Sequence, residues 1–238
     1  MAKEVSPGVL ALRKVVEDVY ADARIAKAEG KPVGWSSSKF PCELYEAFGL
    51  NVVYPENQAA GIAANRDGEI MCQAAEDLGF DNDICGYARI SLAYAAGKRA
   101  ARKIDPNSGK PLKDENGNIV KDENGKVVKD PKTMQPYTEL VDINELWALP
   151  EGEEKEKRLA AIKPYRQMQM PMPDFVLCCN NICNCMIKWY ENLAQDLGVP
   201  MLMLDIPFNP DYDVPQSIID YVSAQFWDVV AKLEELFG

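Results

Sequence analysis

The chain has 238 residues, 47% hydrophobic and 26% charged, a composition typical of an ordinary globular protein with one large or two smaller domains. Its 26 basic and 37 acidic residues give a net charge of −11, which repels nucleic acid phosphates and anionic lipids, so neither nucleic acid nor a membrane is an expected partner. The chain has seven cysteines and no histidine. The absence of histidine excludes sites that need a histidine base or histidine metal ligands.

Helices and strands alternate in the predicted elements of the first hundred residues. An apolar pattern of helical period begins at Ser6-Pro7 and extends to Ala28. It is followed by a strand, a short helix, a second strand and two further helices, which are the stretches "KPVGW", "PCELYEAFG", "LNVVYP", "QAAGIAANRDGEIMCQAAEDLGF" and "DICGYARISLAYAAGK". This order predicts an α/β fold with parallel strand pairing.

The N-terminal stretch "MAKEVSPGVLALRKVVEDVY" lacks the continuous apolar region of a secretory signal, and no later stretch resembles a membrane span. We therefore expect a cytoplasmic protein, in which an odd number of cysteines does not form a disulfide framework. Thiolates and carboxylates remain as metal ligands, and thiolates favour zinc or iron–sulfur clusters.

The composition changes between about Ile104 and Gln135. An eight-residue unit is written twice in "KDENGNIVKDENGKVVKD", beginning at Lys113 and at Lys121. Its Asn-Gly pairs favour tight hairpin turns and its Ile/Val-Val pairs favour short strands. We predict a small inserted β-hairpin, with a disordered charged loop as the alternative.

A second α/β segment follows the insertion. The strand "MPMPDFVLCCNN", the helix "ICNCMIKWYENLAQDLG" and the strand "VPMLMLDIPF" predict a βαβ unit, and a long helix, "PQSIIDYVSAQFWDVVAKLEELFG", comes last. The expected fold has parallel, Rossmann-like βαβ units with flanking helices and the inserted hairpin. Its expected segments are 1–103 (α/β), 104–170 (insertion and linker) and 171–238 (βαβ unit and long helix).

Four cysteines lie within eight positions at the end of the first strand of this βαβ unit. Cys178 is in an apolar run, and Cys72 has apolar neighbours at helical spacing, so both are expected in the core. Cys179 and Cys185 can serve equally as packing or as contact residues. Cys183 is expected to open the helix, where backbone N–H groups favour a thiolate, and it is the best ligand candidate of the four.

Two cysteines elsewhere have comparable positions. Cys85 lies where a turn leads into a helix, and Gly86 after it permits close approach of the backbone. Cys42 is similarly placed, and spacing alone leaves it as an alternative. The absence of a CxxC…CxxC pattern disfavours a closed structural zinc site.

Three serines, Ser36 to Ser38, follow the first predicted strand, and Glu56 follows the second. In one interpretation the serines cap a helix and Glu56 stabilises a helix start. In the other, all of them lie at the carboxyl edge of the sheet, beside Cys183, where open α/β sheets bind ligands.

The stretches that carry these residues resemble, in the same order, the family of 2-hydroxyacyl-CoA dehydratases and benzoyl-CoA reductases. They are "GWSSSKFPCELYEAFGL", "YPENQAAGIAANRDGEIMCQAAEDLG", "DNDICGYARISLAYAAG" and "MPMPDFVLCCNNICNCMIKWYENLA". The resemblance extends from Ser6 to the last helix and includes an insertion of this kind.

The resemblance implies a [4Fe-4S] cluster held by three cysteines, with one iron open to the substrate. Two of these ligands match Cys85 and Cys183, and the third lies, in the family, in a C-terminal domain absent from this chain. The chain is therefore expected to be the N-terminal part of the subunit. By the same resemblance, Ser38, or otherwise Ser37, lies beside the open iron, and Glu56 is the acid/base.

The implied reaction converts (R)-2-hydroxyglutaryl-CoA into (E)-glutaconyl-CoA and water through ketyl radicals. An ATP-dependent iron–sulfur activator injects the electron. The resemblance further implies a beta subunit, a flavin (FMN or riboflavin) and an anaerobic cytoplasm. The alternatives are a benzoyl-CoA-reductase-like subunit and a non-catalytic module for cluster binding or electron transfer.

Overall fold

The computed structural model describes residues 5–64, 67–103, 138–153, 155–156, 162–164 and 170–238. The helices and strands in chain order are α1 (Pro7–Ala28), β1 (Val33–Ser36), α2 (Cys42–Ala47), β2 (Asn51–Val53), α3 (Pro55–Ala64), α4 (Gly68–Asp77), α5 (Gly86–Ala95), β3 (Lys98–Lys103), β4 (Thr138–Asp142), α6 (Ile143–Ala148), β5 (Ile162–Pro164), β6 (Phe175–Cys179), α7 (Met186–Leu197), β7 (Met201–Leu204) and α8 (Gln216–Phe237).

The contacts divide the chain differently from the three expected segments. One compact unit consists of the chain up to Glu56 together with residues from Met170 onward, and the other extends from Asn57 to Gln169. The N- and C-terminal segments form one unit because β1 pairs with β6 as well as with β2. Local patterns along the chain do not reveal such a pairing.

The first unit contains a four-stranded parallel sheet in the order β2-β1-β6-β7. Gly34 of β1 is in register with Phe175 of β6, and Val176 of β6 with Met201 of β7. Every residue of β1 and of β6 is buried, as in parallel strands whose two faces are both covered. The predicted parallel α/β fold and the βαβ unit β6-α7-β7 are confirmed.

Polar contacts fasten α1 and the loop before β6 to this sheet. The carboxylate of Asp174 accepts hydrogen bonds from the Val33 amide at 2.9 Å and from Lys27 Nζ at 2.7 Å. The indole Nε1 of the buried Trp35 donates to the Pro171 carbonyl at 2.8 Å. The Ser6 hydroxyl accepts the Val9 amide at 3.5 Å, so the predicted start of α1 is confirmed.

Two predicted helices have different boundaries in the structure. The single helix predicted from Gln58 to Phe80 is wrong, because α3 and α4 are separate. The Asp67 amide donates to the Ile62 carbonyl at 3.2 Å, and a Cβ added at Gly68 would lie 3.4 Å from the Cα of Ala63, so the end of α3 and the start of α4 are close together.

The helix predicted from Ile182 begins later, at Met186. The Asn180 Oδ1 atom accepts the Ile206 amide at 2.7 Å, and the Cys179 thiol donates to Asn181 Oδ1 at 2.9 Å. These side-chain bonds hold the residues after β6 in a loop. Cys183 therefore lies in a turn before the helix, and the expectation that it opens the helix is wrong.

The second unit contains an antiparallel sheet that the sequence patterns did not predict. Its order is β4-β3-β5, with Lys98 opposite Asp142 and Arg102 opposite Lys163. Residues 138–148 and 162–164 therefore form strands and a helix within the expected segment 104–170. The strands were missed because their sequences, such as "KRAARK" in β3, lack the alternating apolar pattern of a half-buried strand.

The predicted hairpin between Lys113 and Lys129 lies outside the described residues. Among the residues that are described, no helix is both long enough and apolar enough to cross a membrane.

Replacing Gly34 by alanine is expected to destabilise the first unit, because a Cβ at this position would lie 2.5 Å from the ring of Phe175. Overpacking of a filled core costs about 1–3 kcal/mol. Gly8→Ala is the matched control, since no atom lies within 4 Å of a Cβ built there. Urea unfolding measures both changes. Equal midpoints for the two variants would contradict the prediction, and Phe175→Leu should partly restore stability in the Gly34→Ala background.

Candidate active site at the carboxyl edge of the parallel sheet

Four chain segments leave the parallel sheet at the same edge, because all four strands run in one direction. Ser37 and Ser38 follow β1, and Glu56 follows β2 by three residues. The segment 180–185 follows β6, and Asp205 follows β7. In open α/β sheets, ligands bind at this edge.

Glu56 and Ser38 are in direct contact. The Ser38 amide donates to the Glu56 carboxylate, with distances of 3.3 Å to Oε2 and 3.4 Å to Oε1. Glu56 lies in the first turn of α3 directly after Pro55, where a carboxylate is favoured by the exposed N–H groups. Because Glu56 is only partly buried and Ser38 is exposed, a bound molecule can reach both.

Ser37 has a different environment from Ser38. It is fully buried, its Oγ accepts the Cys179 amide at 3.3 Å, and the same oxygen lies 3.4 Å from Cys179 Sγ. Its own amide donates to the Leu177 carbonyl at 2.9 Å. Ser37 thus joins the ends of β1 and β6, which leaves Ser38 as the accessible hydroxyl of the two.

Cys178 and Cys179 are both buried at the end of β6. Burial, reinforced by Cys179, Glu56 and other acidic neighbours, raises the pKa of Cys178 to about 12, so its thiol stays protonated at neutral pH. The Cys178 thiol donates weakly to the Met186 carbonyl at 3.9 Å. This placement agrees with the expectation that Cys178 is a core residue. Cys179 is also buried, and its amide and thiol donate to Ser37 Oγ and Asn181 Oδ1.

Cys183 and Cys185 lie in the turn between β6 and α7. Cys183 is exposed and Cys185 is partly buried at the cap position of α7, and their Sγ atoms are 3.4 Å apart. Cys183 is thus the most accessible thiol at the carboxyl edge of the sheet.

A polar network that the sequence did not indicate holds this loop. Asp205 accepts a short hydrogen bond from Asn180 Nδ2 and another from the Tyr221 hydroxyl at 2.8 Å. The side chain of Gln225 bonds the backbone of Asp205 twice: its Oε1 accepts the Asp205 amide at 2.7 Å, and its Nε2 donates to the Asp205 carbonyl at 2.7 Å. The network therefore links the ends of β6 and β7 to α8. Asn and Asp directly after apolar strands were its sequence signal, but their partners on α8 lie too far along the chain to be predicted.

Tyr190 is a second residue that the sequence did not single out. It is completely buried on α7, and its hydroxyl has no hydrogen-bond partner among the described residues. Burial raises the pKa of this phenol well above its usual value, and the neighbouring Glu56, Cys178 and Cys179 act in the same direction. Tyr190 therefore stays a neutral phenol in the interior of the first unit.

Cys85 belongs to the second unit, where it is exposed at the cap position of α5. Cys72 was expected in the core but is only partly buried, because it faces the start of α5 and donates to the Gly86 carbonyl at 3.6 Å. Burial raises the pKa of the Cys72 thiol. Cys42, in the first unit, has a raised pKa from desolvation and from Glu43 and Glu46, which disfavours a thiolate there.

The donor chemistry suits an iron–sulfur cluster, since Cys85 and Cys183 are exposed free thiols. Within the described ranges, no group of three or more cysteine, aspartate or glutamate side chains is arranged to hold a metal ion. Each of these two thiols has the donor chemistry that a cluster ligand needs, and each lies in a different unit.

Comparison with known proteins finds several to which the chain is similar. A family model described as 2-hydroxyglutaryl-CoA dehydratase, D-component, matches residues 156–238. The (R)-2-hydroxyglutaryl-CoA dehydratase subunit alpha of Acidaminococcus fermentans is 62% identical over 246 residues, covering 100% of this chain and 52% of that protein. The (R)-phenyllactyl-CoA dehydratase alpha subunit of Clostridium sporogenes is 37% identical, covering 95% of this chain and 40% of that protein.

A much shorter part of the chain is similar to a benzoyl-CoA reductase of Thauera aromatica. One subunit of that enzyme is 31% identical over 70 residues, which is 29% of this chain and 16% of the reductase subunit. The chain spans about half the length of the dehydratase subunits it matches.

Proposed function

Since this chain belongs to the 2-hydroxyglutaryl-CoA dehydratase D-component family, we propose that it supplies part of the active site of a 2-hydroxyacyl-CoA dehydratase. The proposed reaction converts (R)-2-hydroxyglutaryl-CoA into (E)-glutaconyl-CoA and water. Identity of 62% to a 2-hydroxyglutaryl-CoA enzyme, against 37% to a phenyllactyl-CoA enzyme, supports this substrate. The short match to benzoyl-CoA reductase makes ring reduction the weaker alternative.

Cys85 and Cys183 are the residues that would hold a [4Fe-4S] cluster, with a third ligand from outside the described residues. When bound, the cluster supplies a Lewis acid for the 2-hydroxyl group and a carrier for one electron. Electron injection is needed because the β-hydrogen of a 2-hydroxyacyl thioester is barely acidic, and general acid/base catalysis contributes only about 10² to 10⁴-fold.

Glu56 is the group proposed to move the proton. Its carboxylate is partly exposed, and the Ser38 amide holds it at 3.3 Å. A carboxylate fixed by a backbone N–H keeps one orientation and still has lone pairs free to accept the β-proton of the activated substrate or to return a proton to the leaving hydroxide. The Ser38 hydroxyl is exposed next to Glu56 and is proposed to contact the leaving oxygen. The contact between Ser38 and Glu56 at the sheet edge that carries Cys183 is the structural observation on which this proposal depends most.

The proposed assembly includes further components that the relatives' names suggest only in part. The word "subunit" in those names supports a partner subunit, which we propose to be the beta subunit of component D. An ATP-dependent iron–sulfur activator as electron donor and a flavin are proposals that rest on the resemblance to the family, and an anaerobic cytoplasm is a proposal that rests on the oxygen sensitivity of such clusters.

The proposal is tested with the chain co-produced with its partner subunit under anaerobic conditions. We expect iron and sulfide in the purified assembly, a cluster signal by electron paramagnetic resonance, and activator-dependent formation of glutaconyl-CoA. Parallel assays with (R)-phenyllactyl-CoA and benzoyl-CoA measure substrate choice. A cluster without dehydration of any 2-hydroxyacyl-CoA would instead favour the non-catalytic electron-transfer module.

Deleting residues Lys113 to Lys129 should leave cluster content and turnover nearly unchanged. The repeated "KDENG" units lie outside every stretch that carries a candidate site residue. Iron analysis and the dehydration assay measure the effect, and circular dichroism confirms folding. Lost turnover in a folded deletion variant would contradict the prediction and would indicate a role in binding the partner subunit or the activator.

A further inference from the structure

The turn between β6 and α7 places two thiols in contact with each other. Cys183 Sγ and Cys185 Sγ are 3.4 Å apart, with one residue between them, and Cys183 is exposed. We propose that Cys183 and Cys185 form a redox-active dithiol, which closes to an intramolecular disulfide when no cluster is bound.

The environments of three other thiols differ from that of this pair. Cys178 and Cys179 are buried, so neither a small oxidant nor a thiol reagent reaches them easily. Cys72 is partly buried and its thiol donates to a backbone carbonyl. Cys85 is exposed as Cys183 is, but it lies in the other unit. What distinguishes Cys183 is an exposed thiol with a second thiol, that of Cys185, 3.4 Å away.

Bond formation needs only a small movement. A disulfide requires the sulfurs to approach to about 2.05 Å, and both cysteines precede the first helical residue, Met186. Side-chain rotation together with a shift of the turn can supply this approach without unwinding α7.

The oxidant is a small disulfide such as glutathione disulfide. One cysteine thiolate attacks a sulfur of this disulfide, which breaks the S–S bond, forms a mixed disulfide and releases one thiolate. The second cysteine then attacks the protein-bound sulfur and releases the other thiolate. The two cysteines lose two electrons and two protons, and the small disulfide gains both and becomes two thiols.

A disulfide at this position would affect cluster binding. This consequence rests on the proposed function. A sulfur in a disulfide provides no thiolate, so Cys183 in the oxidised pair cannot bind iron. Oxidation would therefore hold the chain in a cluster-free state until a reductant reopens the pair.

The test treats the cluster-free chain with glutathione disulfide and then alkylates it without reduction. We expect fragment mass spectra to show Cys183 and Cys185 linked to each other and free of glutathione, whereas the exposed Cys85 carries glutathione. Cys185→Ser should instead carry glutathione on Cys183. Cys72→Ser is the matched control and should still form the linked pair.

A stable glutathione adduct on Cys183 of the unaltered chain, or free alkylation of both cysteines, would overturn the proposal. A separate measurement reduces the oxidised chain and then supplies iron and sulfide together with the partner subunit. Disulfide formation without cluster loading after reduction would contradict the proposed function and leave the dithiol intact. Cluster loading without any disulfide would contradict the proposed dithiol and leave the proposed function intact.

Discussion

Cys183→Ala is expected to abolish cluster loading and turnover in the full assembly. A [4Fe-4S] cluster that leaves one iron open depends on each of its remaining thiolate bonds, and Cys183 is the accessible thiol at the carboxyl edge of the parallel sheet. Cys85→Ala, at the exposed cap of α5, should have the same effect. Iron and sulfide analysis of the anaerobically purified proteins measures the loss directly.

Cys72→Ala is the matched control, because this thiol is partly buried and already donates to the Gly86 carbonyl. It should retain the iron content of the unaltered assembly. Cys178→Ala should do so as well, since the pKa of about 12 keeps that thiol protonated. Equal iron content in the Cys85, Cys183 and Cys72 variants would refute the assignment of ligands.

Glu56→Gln should lower turnover by about 10² to 10⁴-fold, the factor that a general base contributes. Glutamine keeps an oxygen that can accept the Ser38 amide, which the carboxylate accepts at 3.3 Å. It removes the proton acceptor at almost constant shape. Cluster content and acyl-CoA binding should therefore be retained, and only the dehydration rate should fall.

The alternative role of Glu56 gives a different result in the same experiment. A carboxylate that only stabilises the start of α3 contributes roughly 0.3 to 1 kcal/mol, so its loss would lower thermal stability slightly and leave turnover nearly normal. Measuring the rate beside the melting temperature separates the two roles. Near-normal turnover would transfer the proposed role to the serines after β1, beginning with the exposed Ser38.

Helices and strands could be predicted where the local sequence shows both the spacing of the apolar residues and the signals that begin or end the element. Ser6-Pro7 marks the start of α1, and the Ser6 hydroxyl indeed caps it. The unbroken apolar run of β6 indicates a strand buried on both faces, which is what the parallel sheet provides. The same reasoning placed Ser38, Glu56 and Cys183 at one edge, because parallel strands share the direction in which they end.

Features that depend on distant partners could not be predicted in the same way. No local pattern distinguishes the buried Ser37 from the exposed Ser38, since the difference arises from the Cys179 amide, 142 residues away. The turn that holds Cys183 outside α7 depends on side-chain bonds to the residues after β7. The sheet formed by β3, β4 and β5 carries charged residues where an alternating pattern was needed to recognise it.

The pairing of β1 with β6 also determines the order in which the chain can fold during its synthesis. Asp174 and Val33, which bond across this junction, are 141 residues apart. At ribosomal rates of about 5–20 residues per second, β1 must wait roughly 7 to 28 s before its neighbour β6 emerges. Through that interval β1 has an unpaired edge, which is the kind of surface that invites association with other nascent chains. The residues from Asn57 to Gln169 leave the ribosome within the same interval, so the second unit can fold before the first is complete.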